Sequence, residues 1–240
     1  MCCRYLLLQQ HYREVLAKLG IRGAAEFLSR YNIAPGTAIP AVRTKPKGGG
    51  REVSALHWGL VPSRSHPDRS SAPLANARAE SLVDKPSFRE AFRARRCLLP
   101  ASGFYEWENV GRTKKPWLFR WRDEQPFALA GLWESWRAPD GGVLESCAVI
   151  TTQPNEIMRP IHHRMPVMLM PDQFDLWLDP LVLEPELLSP LLRVASATAM
   201  SSVAVSQRVN NARHDAPDCL APAGEDEPDP GLEPQLSLGL

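Results

Sequence analysis

Met1 is followed by Cys2, a residue small enough for the initiator methionine to be removed, so the mature chain is expected to begin at Cys2. A cysteine with a free amine carries two nucleophiles on adjacent carbons: an α-amine with an ordinary pKa near ~8 and a thiol near ~8.5. A neighbouring cation such as Arg4 favours the thiolate. An aldehyde condenses with the amine to a Schiff base. The thiol then adds to the same carbon and closes a thiazolidine ring of N, Cα, Cβ, S and the former aldehyde carbon. A cysteine inside the chain cannot do this, because its nitrogen is an amide. Taken alone, Cys2 also fits a cysteine that merely follows the start codon.

Three further constellations could serve such a reaction. Leu74-Ala75-Asn76-Ala77-Arg78-Ala79-Glu80 sets an amide and a guanidinium two residues apart, on one side of an extended segment. Asn76 could orient a carbonyl, and Arg78 could fork onto a phosphate. Gly103-Phe104-Tyr105-Glu106-Trp107 puts one carboxylate inside an aromatic run, where desolvation raises its pKa and suits it to acid–base work. Ile161-His162-His163-Arg164-Met165-Pro166 supplies imidazoles that titrate near neutrality. Each also has a bland reading, as a polar loop, a solvent-facing glutamate or a metal ligand. The chain has no CxxC pair, HExxH helix or second histidine cluster, so a metal site is not expected. Walker-type, GxGxxG and GxSxG motifs are missing as well, and no small-molecule cofactor is expected.

The elements that must position these residues are short and punctuated by 23 prolines. Helices are expected over His11–Leu19, over Ser87–Arg95 with Phe88 and Phe92 inward, and from near Pro171 and Glu186. Strands are expected over Thr37–Arg43, Val53–Trp58, Cys97–Leu99, Phe104–Glu108, Trp117–Arg122, Phe127–Trp133, Leu144–Thr151, Pro166–Met170 and Val203–Ser206. Asn32 to Gly36 reads as a turn, the 45–51 loop as flexible at its glycines, and 63–73 as a polar loop. This pattern predicts an α+β fold with a curved, largely antiparallel sheet and flanking helices. One domain is expected over residues 1–220, followed by an acidic, Pro-rich disordered tail over 221–240.

With 240 residues and 44% hydrophobic content, the chain is long enough for its own core. No apolar run is long enough for a membrane helix, and the start does not read as a secretory signal. Five cysteines, an odd number, argue against a disulfide framework. The net charge of +1 hides an asymmetry: residues 1–214 hold all 28 cations against 20 carboxylates, a net +8, and the other seven carboxylates follow. Between Lys85 and Arg122, ten cations and three carboxylates share the stretch with Trp107, Trp117 and Trp121. Cations interleaved with aromatics suit single-stranded nucleic acid, although each tryptophan taken alone fits a core position better.

Six segments occur in an order and spacing similar to the SOS response-associated peptidase family: Met1–Tyr5, Tyr31–Gly36, Trp58–Pro62, Asn76–Glu80, Gly103–Trp107 and His162–Pro166. The resemblance covers about residues 2–220. It implies a barrel-like, mixed α/β fold with a basic channel for single-stranded DNA. It also implies recognition of abasic sites and their capture by the N-terminal cysteine as a thiazolidine that shields the lesion. The family name implies autocatalytic release of residues before the cysteine, and lyase chemistry can compete. By motif, Cys2 is the nucleophile, Asn76 positions the opened sugar, Glu106 is the acid/base and His162 assists ring opening. Arg4, Arg78 and Arg164 hold phosphates, and Pro35 and Trp58 shape the channel. A monomer is expected, cytoplasmic and associated with the nucleoid when bound to DNA. The chain departs from the family at Cys3, where a glycine is usual. Two other functions fit the residues: a thiol peptidase acting on proteins through Cys2 and His162, and a noncatalytic single-strand binder.

Overall fold

Alternating and continuous apolar runs become strands wherever two neighbours supply hydrogen-bond partners. The computed structural model describes residues 3–45, 49–65 and 72–224. Cys2, the glycine loop's residues 46–48, residues 66–71 and the tail from 225 lie outside the described residues. The strands are β1 (Tyr5–Leu7), β2 (Arg30–Ile33), β3 (Ala38–Thr44), β4 (Arg51–Trp58), β5 (Asn76–Arg78), β6 (Arg96–Ala101) and β7 (Gly103–Val110). They continue with β8 (Thr113–Trp121), β9 (Phe127–Arg137), β10 (Val143–Thr152), β11 (Met165–Pro166), β12 (Met168–Leu169) and β13 (Met200–Ala204). The helices are α1 (Gln9–Lys18), α2 (Pro86–Ala94), α3 (Phe174–Leu178) and α4 (Pro185–Leu188).

Five strands close a barrel in the order β10-β4-β3-β6-β9 and back to β10. Four of its contacts are antiparallel. The fifth, β4 with β10, is parallel and sets Trp58 beside Cys147. Closure pairs both sides of every strand and leaves no edge. The barrel interior is tight: a Cβ on Gly131 would stand 2.8 Å from Cys97 Sγ, so β6 and β9 meet closely only with glycine there. Helices α1 and α2 lie on β6 and β9. Helix α2 buries Phe88, Ala91 and Phe92, the i, i+3, i+4 stripe of an amphipathic helix, and Phe92 packs on Trp177 of α3.

A second, wholly antiparallel sheet runs β13-β8-β7-β1-β2. It carries the start of the chain. Strand β1 is wedged between β2 and β7, and all three of its residues are buried. The close fit depends on Gly103, where a Cβ would stand 2.9 Å from the Phe119 carbonyl oxygen and 2.9 Å from Leu6.

The fold class is therefore the expected one: α+β, barrel-like and largely antiparallel with flanking helices. Details differ for physical reasons. Asn32 and Ile33, read as part of a turn, belong to β2, and only Pro35-Gly36 turns, with Gly36 at φ +86°. The expected strand over 166–170 divides at Val167 into β11 on β10 and β12 on β9. The chain remains in place past residue 220, because the Ser206 amide donates to the Ala221 carbonyl (2.8 Å) and Val205 bridges to Pro222. No helix among the described residues is long and apolar enough to cross a membrane.

Candidate active site

The site lies where the start of β1 meets β5, β7 and the turn after β10. The nucleophile expected from the sequence, Cys2, lies outside the described residues. Its neighbour in sequence, Cys3, is half-buried. Backbone pairing fixes the segment after it, since the Tyr105 amide donates to the Arg4 carbonyl (3.0 Å) and the Ser102 amide to that of Leu6 (2.9 Å). The guanidinium of Arg4 donates to Asn32 Oδ1 (2.7 Å) and the Val209 carbonyl (2.8 Å), with Trp107 beneath it at 5.5 Å.

Asn32 is the anchor that sequence reasoning missed. It is 1% exposed, and its amide nitrogen donates to the carbonyls of Val209, Asn211 and His214. The backbone amides of Tyr31 and Asn32 donate to Asp215, which also pairs with Arg30. The segment before residue 220 is thus clamped to the start of the chain. Within it, His214, Asp218 and Cys219 bring three potential metal-ligand atoms within 4.8 Å. The Asp218 carboxylate already takes the Arg208 guanidinium at 2.7 Å, which a bound cation would have to displace.

Strand β5 is carried by β10 in parallel register, Asn76 opposite Val149 and Arg78 opposite Thr151. This pairing brings Asn76 to the chain start, where its Nδ2 donates to Cys3 Sγ at 3.8 Å. Its Oδ1 is buried and has no hydrogen-bond partner among the described residues. On β7, Glu106 sits opposite Trp117 of β8 and is 4% exposed. Its Oε1 also lacks a partner among the described residues. Burial pushes its carboxyl up to about 8, against the lowering influence of the positive chain terminus. A buried acceptor without a donor costs free energy, about 1–3 kcal/mol for a neutral group. Two of them beside the chain start suit a donor arriving there, such as an amine or a sugar hydroxyl.

His162 completes the group. Its Nδ1 is 3.9 Å from Glu106 Oε1. The Arg164 amide donates to Nδ1 of the neutral ring at 3.1 Å, and a proton on Nδ1 would instead point to the Arg164 carbonyl at 3.0 Å. Burial lowers its pKa, so the neutral imidazole predominates at neutral pH. The turn carrying it is held by Asn155, whose Oδ1 accepts from the Met158 amide (3.1 Å) and whose Nδ2 donates to the Ala195 carbonyl (3.0 Å). His163 is exposed, and its ring lies tilted at 33° against that of His162 with 4.4 Å between centroids.

The basic residues divide into two kinds. Arg78 is exposed and open to a phosphate. Arg164 is 6% exposed and forks onto Glu80 at 2.8 and 2.9 Å, while one of its nitrogens also donates to the Thr151 carbonyl. It meets a phosphate only if Glu80 gives way. Arg78, Glu80, Ser81, Lys85, Gln153 and Arg164 line an open groove of about 320 Å³. Trp58, expected to shape the channel, is 0% exposed: its indole donates to the Ala75 carbonyl (2.9 Å) and its ring meets Tyr5 edge-on, so it supports its surroundings from within the core. Its backbone supports the half-exposed Pro35 turn, because the Gly36 amide donates to the Trp58 carbonyl at 2.8 Å. The half-exposed aromatics here are Trp107 and Trp117, the latter under Lys115 at 4.9 Å.

Comparison with known proteins gives the family and the fold. The family model described as SOS response associated peptidase (SRAP) matches residues 1–212. An abasic site processing protein of Bacillus subtilis (strain 168), YoqW, is 35% identical over 224 residues, covering 92% of this chain and 99% of its own. The Gallus gallus abasic site processing protein HMCES is 31% identical over 196 residues, covering 72% of this chain and 58% of its own. A crystal structure of a Bacteroides thetaiotaomicron protein superposes with a TM-score of 0.80 at 26% identity, over 92% of this chain and all of that one.

Proposed function

The chain belongs to the SOS response associated peptidase family, and on that premise we propose that it captures abasic sites in single-stranded DNA as a thiazolidine on Cys2. The observation that carries this reading is the convergence of Asn76, Glu106 and His162 on the start of the chain, with two buried acceptors unpartnered among the described residues. Relatives named for abasic-site processing supply the substrate class.

Removal of Met1 frees the Cys2 amine. The abasic sugar opens to its aldehyde, with Asn76 holding the sugar oxygen and His162 moving the ring-opening proton. The amine attacks the aldehyde carbon, and Glu106, protonated below about 8, protonates the departing hydroxyl so that water leaves. The Cys2 thiol then adds to the imine carbon, and its proton passes to nitrogen. One water is lost overall. Arg78 and Arg4 hold neighbouring phosphates, and Arg164 joins them when Glu80 is displaced. Glu106 and an ordinary amine have nearly matched pKa values, so a proton passes between them at little cost.

The Cys2 thiol can release residues placed before the cysteine by adding to the preceding carbonyl carbon; the C–N bond breaks as the nitrogen takes a proton from Glu106, and water hydrolyses the resulting thioester. A Schiff base that escapes the thiol leads to β-elimination. The protein acts as a monomer in the compartment that holds the DNA. Appending one uncleaved residue before Cys2 tests the reading. Crosslinking should vanish while noncovalent binding persists. A blocked protein that cleaves other proteins at full rate would favour a Cys2–His162 thiol peptidase instead.

A further inference from the structure

His162 lies on the turn between β10 and β11, outside any helix or strand. A side chain on such a segment holds its place only where neighbouring groups tie it down. On one side the Arg164 amide donates to its ring, and the Arg164 guanidinium is anchored on the Thr151 carbonyl of β10. On the other side the ties lead back to Asn155. The Met158 amide donates to the Asn155 carbonyl (3.2 Å) and to its Oδ1 (3.1 Å), and the Met158 carbonyl accepts from the Ile161 and His162 amides, each at 2.9 Å. The Asn155 Nδ2 turns the other way, to the Ala195 carbonyl (3.0 Å) and Met200 Sδ (3.3 Å). Both polar atoms of this side-chain amide thus have partners, and the residue is 2% exposed. Met200 opens β13, which pairs with β8, and β8 pairs with β7 at Glu106.

The reaction proposed above needs His162 and Glu106 together, yet they belong to separate sheets. The His162 turn follows a strand of the barrel, and Glu106 stands on the second sheet. Resting on that reading, we propose that Asn155 is a positioning residue, a strut that fixes the turn of His162 against the sheet of Glu106 and so sets the 3.9 Å between Nδ1 and Oε1. It touches neither reacting group, and no bond is made or broken at it. Its Oδ1 shapes the turn, and its Nδ2 docks the turn on the segment that leads into β13. Loss of either end displaces the imidazole. A displacement of about 1 Å in a reacting group costs roughly 10²-fold in rate. Asn155→Asp separates the two ends, because a carboxylate still accepts from the Met158 amide but has no hydrogen to give the Ala195 carbonyl. Asn155→Ala removes both.

The test uses the full chain, its Asn155→Ala, Asn155→Asp and His162→Ala variants, the double variant Asn155→Ala/His162→Ala, and a single strand bearing one internal abasic site. Asn155→Ala and Asn155→Asp should each slow crosslinking by about 10-fold to 10²-fold, with unchanged affinity for an intact strand. The double variant should crosslink no more slowly than His162→Ala, because the strut then has nothing to position. If Asn155→Ala slows the His162→Ala protein by the same factor as it slows the wild type, the residue serves the fold at large and the proposal is overturned. The ring nitrogen chemical shifts of His162, assigned by their loss in His162→Ala, give a readout free of crosslinking. They should move in both Asn155 variants while those of His214 stay in place, and unmoved His162 shifts overturn the proposal. Asn155→Asp keeps the Met158 acceptor, so it decides the matter if Asn155→Ala folds poorly. A wild type that does not crosslink counts against the Cys2 reading alone, and the ring shifts then decide the role of Asn155.

Discussion

Glu106 Oε1 lies 3.9 Å from His162 Nδ1, beyond hydrogen-bond range, and burial drives both side chains toward their neutral forms. The carboxyl titrates near 8 and the imidazole below its ordinary value. The pair is thus an acid and a base that have not exchanged a proton, the state a dehydration reaction requires at its start.

Crosslinking should therefore follow a bell in pH. The rising limb reports the Cys2 amine losing its proton, and the falling limb, centred near 8, reports Glu106 losing its own. Glu106→Gln should slow crosslinking by about 10²–10⁴-fold, the usual worth of a placed acid, and abolish the falling limb. Stopped-time assays from pH 5 to 10 check this, and an unchanged falling limb in Glu106→Gln would assign it elsewhere.

The same substitution should stabilise the fold at neutral pH. Folding raises the Glu106 pKa from an ordinary ~4.3 to about 8, so the folded state binds the extra proton in that window. Its contribution is fully present below pH ~4.3 and is lost as pH rises through 8. Glu106→Gln escapes this loss. Its melting temperature should exceed that of the wild type by a margin that grows between pH 4.5 and 8 and vanishes in acid. A constant margin would mean that packing, not titration, sets the difference.

Arg78 and Arg164 should separate by salt dependence. Arg78 is exposed, so Arg78→Ala should flatten the log–log salt slope of single-strand binding by about 0.7, one phosphate contact. Glu80→Gln releases Arg164 from its carboxylate fork and should steepen the slope while tightening low-salt binding. Equal slopes for Glu80→Gln and wild type would leave Arg164 a purely structural residue.

Trp58 is a test of burial against motif position. Trp58→Ala should cost about 3–5 kcal/mol of stability. Trp58→Phe should cost roughly 1 kcal/mol for the lost bond to the Ala75 carbonyl. Titration of Trp58→Phe with single-stranded DNA should give wild-type affinity, because the ring is enclosed.

The long strands were legible because their chemistry repeats. Gly103–Val110 and Val143–Thr152 carry enough apolar and aromatic residues to declare themselves. Tyr5–Leu7 and Asn76–Arg78 are three residues each, too short for any period, and are strands only because β2, β7 and β10 pair with them. Site residues divide in the same way. Asn76, Glu106 and His162 are visible as reactive side chains in unusual local contexts. The Glu80 fork on Arg164 and the Asn32 clamp on the 209–215 segment join residues far apart in the chain, and no local pattern announces them. The burial of Trp58 was not legible, because a tryptophan in a conspicuous motif looks the same whether it faces solvent or fills the core.

The central claim is covalent capture through the Cys2 amine and thiol together. The direct measurement is the intact mass of the tag-free protein before and after incubation with single-stranded DNA bearing one abasic site. The account predicts loss of Met1, followed by an adduct equal to protein plus DNA minus one water that survives heating without borohydride. An adduct that appears only after reduction, or none at all despite a free Cys2 amine, would contradict it.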